Sequence, residues 1–233
     1  LVLCIPLFLQ AASGDRNAPA HMRIGVVASA SGTSELLRAG KGITPGDGVP
    51  VCNNDTIRTG QGGGLSIRLI NDCTLTIGPD TQAIISTELR ENGQLARVAL
   101  IYGRLQAEVK KSDPTHEAFS VQTASASCGV RGTVLSVAAG RAPGMLAGVL
   151  SGRLEVRAGT NAHTLRPGEQ MIVSAAGDTE RPDKPLDITA WLAARSRALL
   201  ADPGAFIRTM EGRVKQLELD FSAAPAGPVL ARF

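Results

Sequence analysis

Two glycines bracket a Val-Arg pair at Gly129-Val130-Arg131-Gly132, and Thr133 then opens an alternating apolar segment through Leu135 and Val137. Glycine reaches backbone conformations closed to residues that carry a Cβ. Residues 123–137 are therefore read as a strand, a sharp bend and a second strand, with a charged Arg131 fixed at the bend. That pattern points to short strands joined by tight turns.

The chain around it has the same texture. Between residues 24 and 174, short apolar alternations are broken by turn residues, and the 26 glycines and 13 prolines fit many short strands. Strands are expected at 24–30, 49–52, 56–59, 65–70, 73–77, 83–87, 96–109, 119–123, 145–150, 153–158 and 170–174. A loop is expected through Gly40 and Gly42. Residues 65–77 read as a period-two hairpin turned by Asn71-Asp72. No helical period is sustained in this region. Two internal echoes suggest coiled turns of sheet or a duplication. Tyr102-Gly103-Arg104-Leu105 returns as Ser151-Gly152-Arg153-Leu154, and Ile43-Thr44-Pro45-Gly46-Asp47 returns as Leu165-Arg166-Pro167-Gly168-Glu169.

The fold expected is mainly β, solenoid-like or sandwich-like over 24–174, followed by a polar, proline-marked linker at 175–186. Two helices then fill a C-terminal element at 187–221. Asp187 N-caps the first, which runs to about residue 201. Pro203 suits the first turn of the second. Phe206, Ile207, Met210, Val214, Leu217 and Phe221 form one apolar stripe on that helix. The stripe needs a cover, supplied by the β domain, the first helix or a partner. The tail 222–233 is expected to be disordered. Residues 1–12 resemble the apolar core and small-residue exit of a signal peptide and are too short to span a bilayer. Export to the periplasm or beyond is the expectation for this segment-and-leader region, 1–23. The competing reading starts translation at Met22 and leaves the chain cytosolic.

Composition narrows function mainly by removing classes. A net charge of +3 with no basic run longer than Lys110-Lys111 gives no track for nucleic-acid phosphates. Aromatic residues are 3% of the chain, which leaves little surface for stacking sugars or bases. His21, His116 and His163 stand at no metal-ligand spacing. No nucleophile elbow occurs, and the glycine run 60–64 lacks the Lys-Ser/Thr of a phosphate loop. No cofactor, metal site or transmembrane segment is expected. Past the leader, three cysteines remain and none forms a Cys-x-x-Cys pair. In an exported chain, Cys52 with Cys73 is a candidate disulfide. Cys128 could instead pair with either, or act as a thiol activated by Arg131.

Several segments, in order, resemble the periplasmic FecR-domain family over most of residues 25–174. They are Asp55-Thr56-Ile57-Arg58-Thr59-Gly60, the 65–75 hairpin, Leu100-Ile101-Tyr102-Gly103-Arg104-Leu105, and Phe119-Ser-Val-Gln-Thr123 followed by Val130-Arg131-Gly132-Thr133. Gly152 and Pro167-Gly168-Glu169-Gln170 fit the exit of the pattern. The chain departs from it at Cys73, Ala124 and Leu135. The resemblance implies an all-β periplasmic domain without established catalysis. In signalling members such a domain receives a signal from an outer-membrane transporter. The functional expectation is thus a non-enzymatic envelope domain that binds protein or ligand, with contact or self-association through 187–221. An envelope thiol enzyme or redox protein using Cys128 is the alternative. Arg131, Gly132 and Thr133 are the candidate site, either tying together carbonyls at the bend or, through Arg131, holding an anionic group.

Overall fold

The computed structural model describes residues 22–70, 72–90, 93–110, 118–141, 144–188 and 190–192, with Leu89, Arg90 and Arg131 described in their backbone only. The strands are β1 (Arg23–Ser31), β2 (Ser34–Arg38), β3 (Lys41–Ile43), β4 (Pro50–Cys52), β5 (Asp55–Thr59), β6 (Gly64–Leu69), β7 (Cys73–Ile77) and β8 (Thr81–Arg90). They continue as β9 (Gly93–Val109), β10 (Phe119–Gln122), β11 (Ser127–Ala139), β12 (Gly144–Ala158), β13 (Asn161–Leu165), β14 (Gln170–Ser174) and β15 (Thr179–Glu180). All pair into one 15-stranded sheet, and the mainly β reading holds.

Three long strands fold this sheet onto itself. The first half of β9 lies between β8 and β10, whereas its second half, from Gly103, lies between β7 and β11. Before Gly132, β11 pairs with β10 and the second half of β12; after it, with β9 and the first half of β12. Two layers result. One runs β4, β1, β6, β7, second half of β9, second half of β11, first half of β12, β14, β15. The other runs β3, β2, β5, β8, first half of β9, β10, first half of β11, second half of β12, β13. A single core joins them, with Leu75 and Ile67 from the first layer meeting Ile57, Ile85, Leu100 and Phe119 from the second. Alternate side chains of each strand point into it. The pairing is therefore that of a sandwich.

Both ends of the sandwich use the same unit. β1 to β4 and β12 to β14 each contain a strand path that passes from the first layer to the second, a two-residue hairpin, a short strand and a Pro-Gly crossover. In one crossover the Gly48 N–H donates to Val27 O at 2.9 Å and the Val27 N–H donates to Val49 O at 2.9 Å. In the other, the Gly168 N–H donates to Val149 O at 2.8 Å and the Val149 N–H to Glu169 O at 3.2 Å. The two crossovers thus share a geometry, but Gly48 rather than the echoed Gly46 stands where Gly168 does.

Two sequence expectations need correction. The loop expected through Gly40 and Gly42 is the hairpin of β2 and β3, turned by Ala39 and Gly40 at φ 48° and 76°. Adjacent Leu36 and Leu37 break the alternation there, and only Leu36 is fully buried. Cys52 and Cys73 are separate buried thiols rather than a disulfide. β1 and β6 lie between their strands, so the two positions are separated along the sheet by roughly 14 Å at 4.7–4.9 Å per strand. A disulfide needs Cα atoms within about 7 Å.

Candidate functional site

Gly132 and Gly152 form neighbouring corners of β11 and β12, with φ of 56° and 85°. Between them sits Thr133, 1% exposed. Its Oγ1 donates to Arg153 O at 2.8 Å and accepts the Arg153 N–H at 3.3 Å. The hydroxyl thus pairs backbone groups that the bend takes out of the ladder. A Cβ on Gly152 would lie 2.5 Å from Gly132 O, so the strands meet at a distance only glycine permits. The Arg131 side chain lies outside the described residues, and neither reading of its guanidinium is tested. Gly129, expected to share in the bend, is an ordinary strand residue opposite Glu155 and Ser120.

The opposite side is built alike. Gly103 turns β9 with φ 101°, and Thr81 Oγ1 accepts the Arg104 N–H at 3.1 Å. Thr59 Oγ1 accepts the Thr81 N–H at 3.0 Å and donates to Gly78 O at 2.7 Å. Thr59, Thr81 and Thr133 are all buried. Each hydroxyl is engaged with backbone, so these corners hold the fold together and offer no free group to a substrate.

The most buried ion pair among the described residues was not legible in sequence. Asp55, fully buried at the start of β5, receives Arg38 Nε on Oδ1 at 2.9 Å and Arg38 Nη2 on Oδ2 at 2.8 Å. The Cys52 N–H donates to the same Oδ2 at 2.7 Å, and Arg38 Nη2 also donates to Pro50 O at 2.7 Å. The bidentate pair ties β2, β4 and β5 together and holds the Arg38 pKa above its ordinary value through the Asp55 hydrogen bond. Asp55 heads the Asp-Thr-Ile-Arg-Thr-Gly segment, but nothing in sequence marks Arg38 as its partner.

Cys128 is wholly buried, and burial pushes its thiol up to about 12. Its Sγ lies 3.9 Å from Met145 Sδ. A reactive cysteine needs thiolate character and access, and Cys128 has neither. Burial likewise raises Cys73 to about 12, and it raises Cys52 against the opposing pull of Arg38. His163 Nε2 stands 3.3 Å from Thr179 Oγ1; His21 and His116 lie outside the described residues. Among the described residues no cluster of His, Cys, Asp or Glu could hold a metal ion, and no helix is long and apolar enough to cross a membrane.

After β15 the chain returns to the start of β14. Leu186 N–H donates to Gln170 Oε1 at 2.7 Å, and Gln170 Nε2 donates to Leu186 O at 3.4 Å. Asp187 Oδ1 then accepts the Ala190 N–H at 3.2 Å, the N-cap expected there, while Trp191 N–H donates to Asp187 O. The rest of the C-terminal element, from 193 on, lies outside the described residues, as does the leader 1–21.

Comparison with known proteins agrees with this geometry. Residues 55–155 match the family described as FecR protein. Two crystal structures of a candidate anti-sigma factor from Parabacteroides distasonis, at 1.65 and 2.50 Å, share the fold with a TM-score of 0.50 and 24% identity. The likeness covers 59% of this chain and 64% and 63% of theirs. No curated protein matches. The matched region spans β5 to β12 and so contains the Thr59, Gly103, Gly132 and Gly152 corners; over these residues the chain is similar to the FecR protein family.

Proposed function

We propose that this FecR-like domain is a non-enzymatic signalling module of the bacterial cell envelope, exported to the periplasm or beyond, which acts by binding a protein partner. The observation that carries this reading is the FecR match over residues 55–155, supported by a fold shared with candidate anti-sigma factors. The corner chemistry supports it too, since the buried hydroxyls are spent on backbone and Cys128 has no access to solvent. That burial argues against the thiol-enzyme alternative. The C-terminal element at 187–221, read as two helices, is the part proposed to make contacts outside the sheet.

Two measurements on the native host test the reading. An alkaline phosphatase fusion after residue 192 reports export by its activity. Transcript profiling with and without the gene reports signalling as a change confined to a small set of promoters. An active fusion with such a change is expected. An inactive fusion overturns export, and an unchanged transcript profile under envelope stress overturns the signalling role.

A further inference from the structure

Two sets of apolar side chains point away from the core and are nonetheless shielded. On the second layer, Val98 and Leu100 face inward, so Ala99 and Ile101 face outward, yet these two are 0% and 2% exposed. With Ile84, at 8%, they form a separate cluster against which Tyr102 packs. The neighbouring outward positions on β8 and β10 are Ser86, Ser120 and Gln122, which are too polar or too short to close over an isoleucine. On the first layer, Val137 and Met145 face inward, while the outward Ala138 and Leu146 are 0% and 1% exposed. Both patches flank the Gly103 side of the sandwich, because Ala139 pairs with Gly103 and Arg141 stacks on Tyr102 at 4.3 Å. One covering segment that passes around this side would account for both.

The chain's own C-terminal element has the anchor and length to be that segment. Leu186 is fastened to Gln170 on the first layer, at the Gly152 side, where the Asp187 cap starts a helix. As the helix expected from the sequence, residues 188–201 would cover roughly 21 Å at 1.5 Å per residue. The strands they would cross are about 17–20 Å long at 3.3–3.4 Å per residue. On that path Asp202-Pro203 would fall at the Gly103 side, where the second arm would turn onto the second layer. Its expected stripe of Phe206, Ile207, Met210, Val214, Leu217 and Phe221 would then meet the outer cluster of that layer.

We propose that residues 188–221 clasp the sandwich around its Gly103 side, the first arm lying over Ala138 and Leu146 and the second over Ile84, Ala99 and Ile101. The clasp turns the apolar stripe of this element onto the chain's own sheet and would leave only its other side for a partner; it is tested on the purified chain alone. Arg208, Arg213 and Lys215 make the second arm cleavable by trypsin. In the full chain these sites should be protected, independently of protein concentration. Ile101→Asp, which leaves the inner core untouched, and Leu217→Asp, which leaves the sheet untouched, should each speed cleavage there by about tenfold or more, as expected when cleavage follows the open population. Unchanged circular dichroism shows that the sandwich itself is intact. Rapid cleavage of the wild type overturns the clasp, as does acceleration by Leu217→Asp without Ile101→Asp. Protection that rises with concentration, together with a dimer lost in Ile101→Asp, assigns the cover to a second copy and also overturns it.

Discussion

Substituting alanine for Gly152 tests whether the corner is a close approach of strands or merely a turn. The residue has φ +85°, and a non-glycine residue held there costs about 1–2 kcal/mol. In addition, a Cβ would stand 2.5 Å from Gly132 O, 2.7 Å from Thr133 Oγ1 and 2.9 Å from Thr133 Cα. Two of these atoms are backbone, so relief requires β11 and β12 to separate at the corner. Forcing atoms into a packed interior costs about 1–3 kcal/mol. Separation also stretches the Thr133–Arg153 hydrogen bonds. The expected destabilisation is therefore about 2–5 kcal/mol, a large share of the roughly 5–15 kcal/mol that holds a domain folded. At about 2–4 °C per kcal/mol for a chain of this size, a 3 kcal/mol loss lowers Tm by roughly 6–12 °C.

Gly168 is the control. It has φ +84°, but nothing lies within 4 Å of where its Cβ would be. Gly168→Ala should carry only the conformational cost, about 1–2 kcal/mol. Thermal melts of the two variants followed by far-UV circular dichroism give the difference directly. A drop for Gly152→Ala no larger than that for Gly168→Ala would refute the close-approach argument. Gly103→Ala, whose Cβ would meet the Thr81 side chain and its Cα at 2.5 Å, should group with Gly152→Ala.

Other consequences follow from the same contacts. Thr133→Val keeps the shape but leaves the Arg153 N–H unpaired, for a loss of about 1–3 kcal/mol in urea unfolding, while Thr133→Ser keeps most of the stability. Asp55→Ala strands the Arg38 guanidinium and the Cys52 N–H, and should cost about 3–5 kcal/mol by the same assay. Burial raises the Cys73 and Cys128 thiols from 9.0 to about 12, so the folded state keeps protons that the unfolded state loses. Their contribution is complete below pH 9 and is lost as pH rises towards 12; urea midpoints should fall across that window, less steeply in Cys128→Ala. All three thiols should react with a disulfide reagent only at the rate of unfolding, and a fast-reacting Cys128 in the native chain would contradict its burial.

Sequence reading reached the corners because glycine and threonine carry local signals. Gly132 had to bend, and the echo of Tyr102-Gly103 in Ser151-Gly152 marked two further corners, all now with positive φ. The hairpin of β6 and β7 was legible by alternation, since one face is buried and the other is wet. The β2–β3 hairpin was not, because Ala39 adopts a left-handed conformation without being glycine. β13 was missed because it lies at the end of its layer and buries only Leu165. Nor could the Arg38–Asp55 pair be foreseen, since its members are 17 residues apart and meet only through the pairing of β2 with β5. Cys52 with Cys73 failed for the converse reason: spacing along the chain says nothing of the two strands between them.

The residues that carry the resemblance to the FecR family are those the fold consumes. Thr59, Gly103, Gly132, Thr133 and Gly152 are spent on holding two layers together at their corners, so they specify the scaffold and leave its partner open. The outer faces are a separate matter, and the sequence does carry a signal for them. Ala83-Ile84-Ile85, Val98-Ala99-Leu100-Ile101, Val137-Ala138-Ala139 and Met145-Leu146-Ala147 are continuous apolar runs inside strands whose neighbours alternate. Alternation belongs to a strand with one wet face, whereas an unbroken run belongs to a strand covered on both. The inner core covers one face of each run. The other face needs a cover that the two layers do not supply.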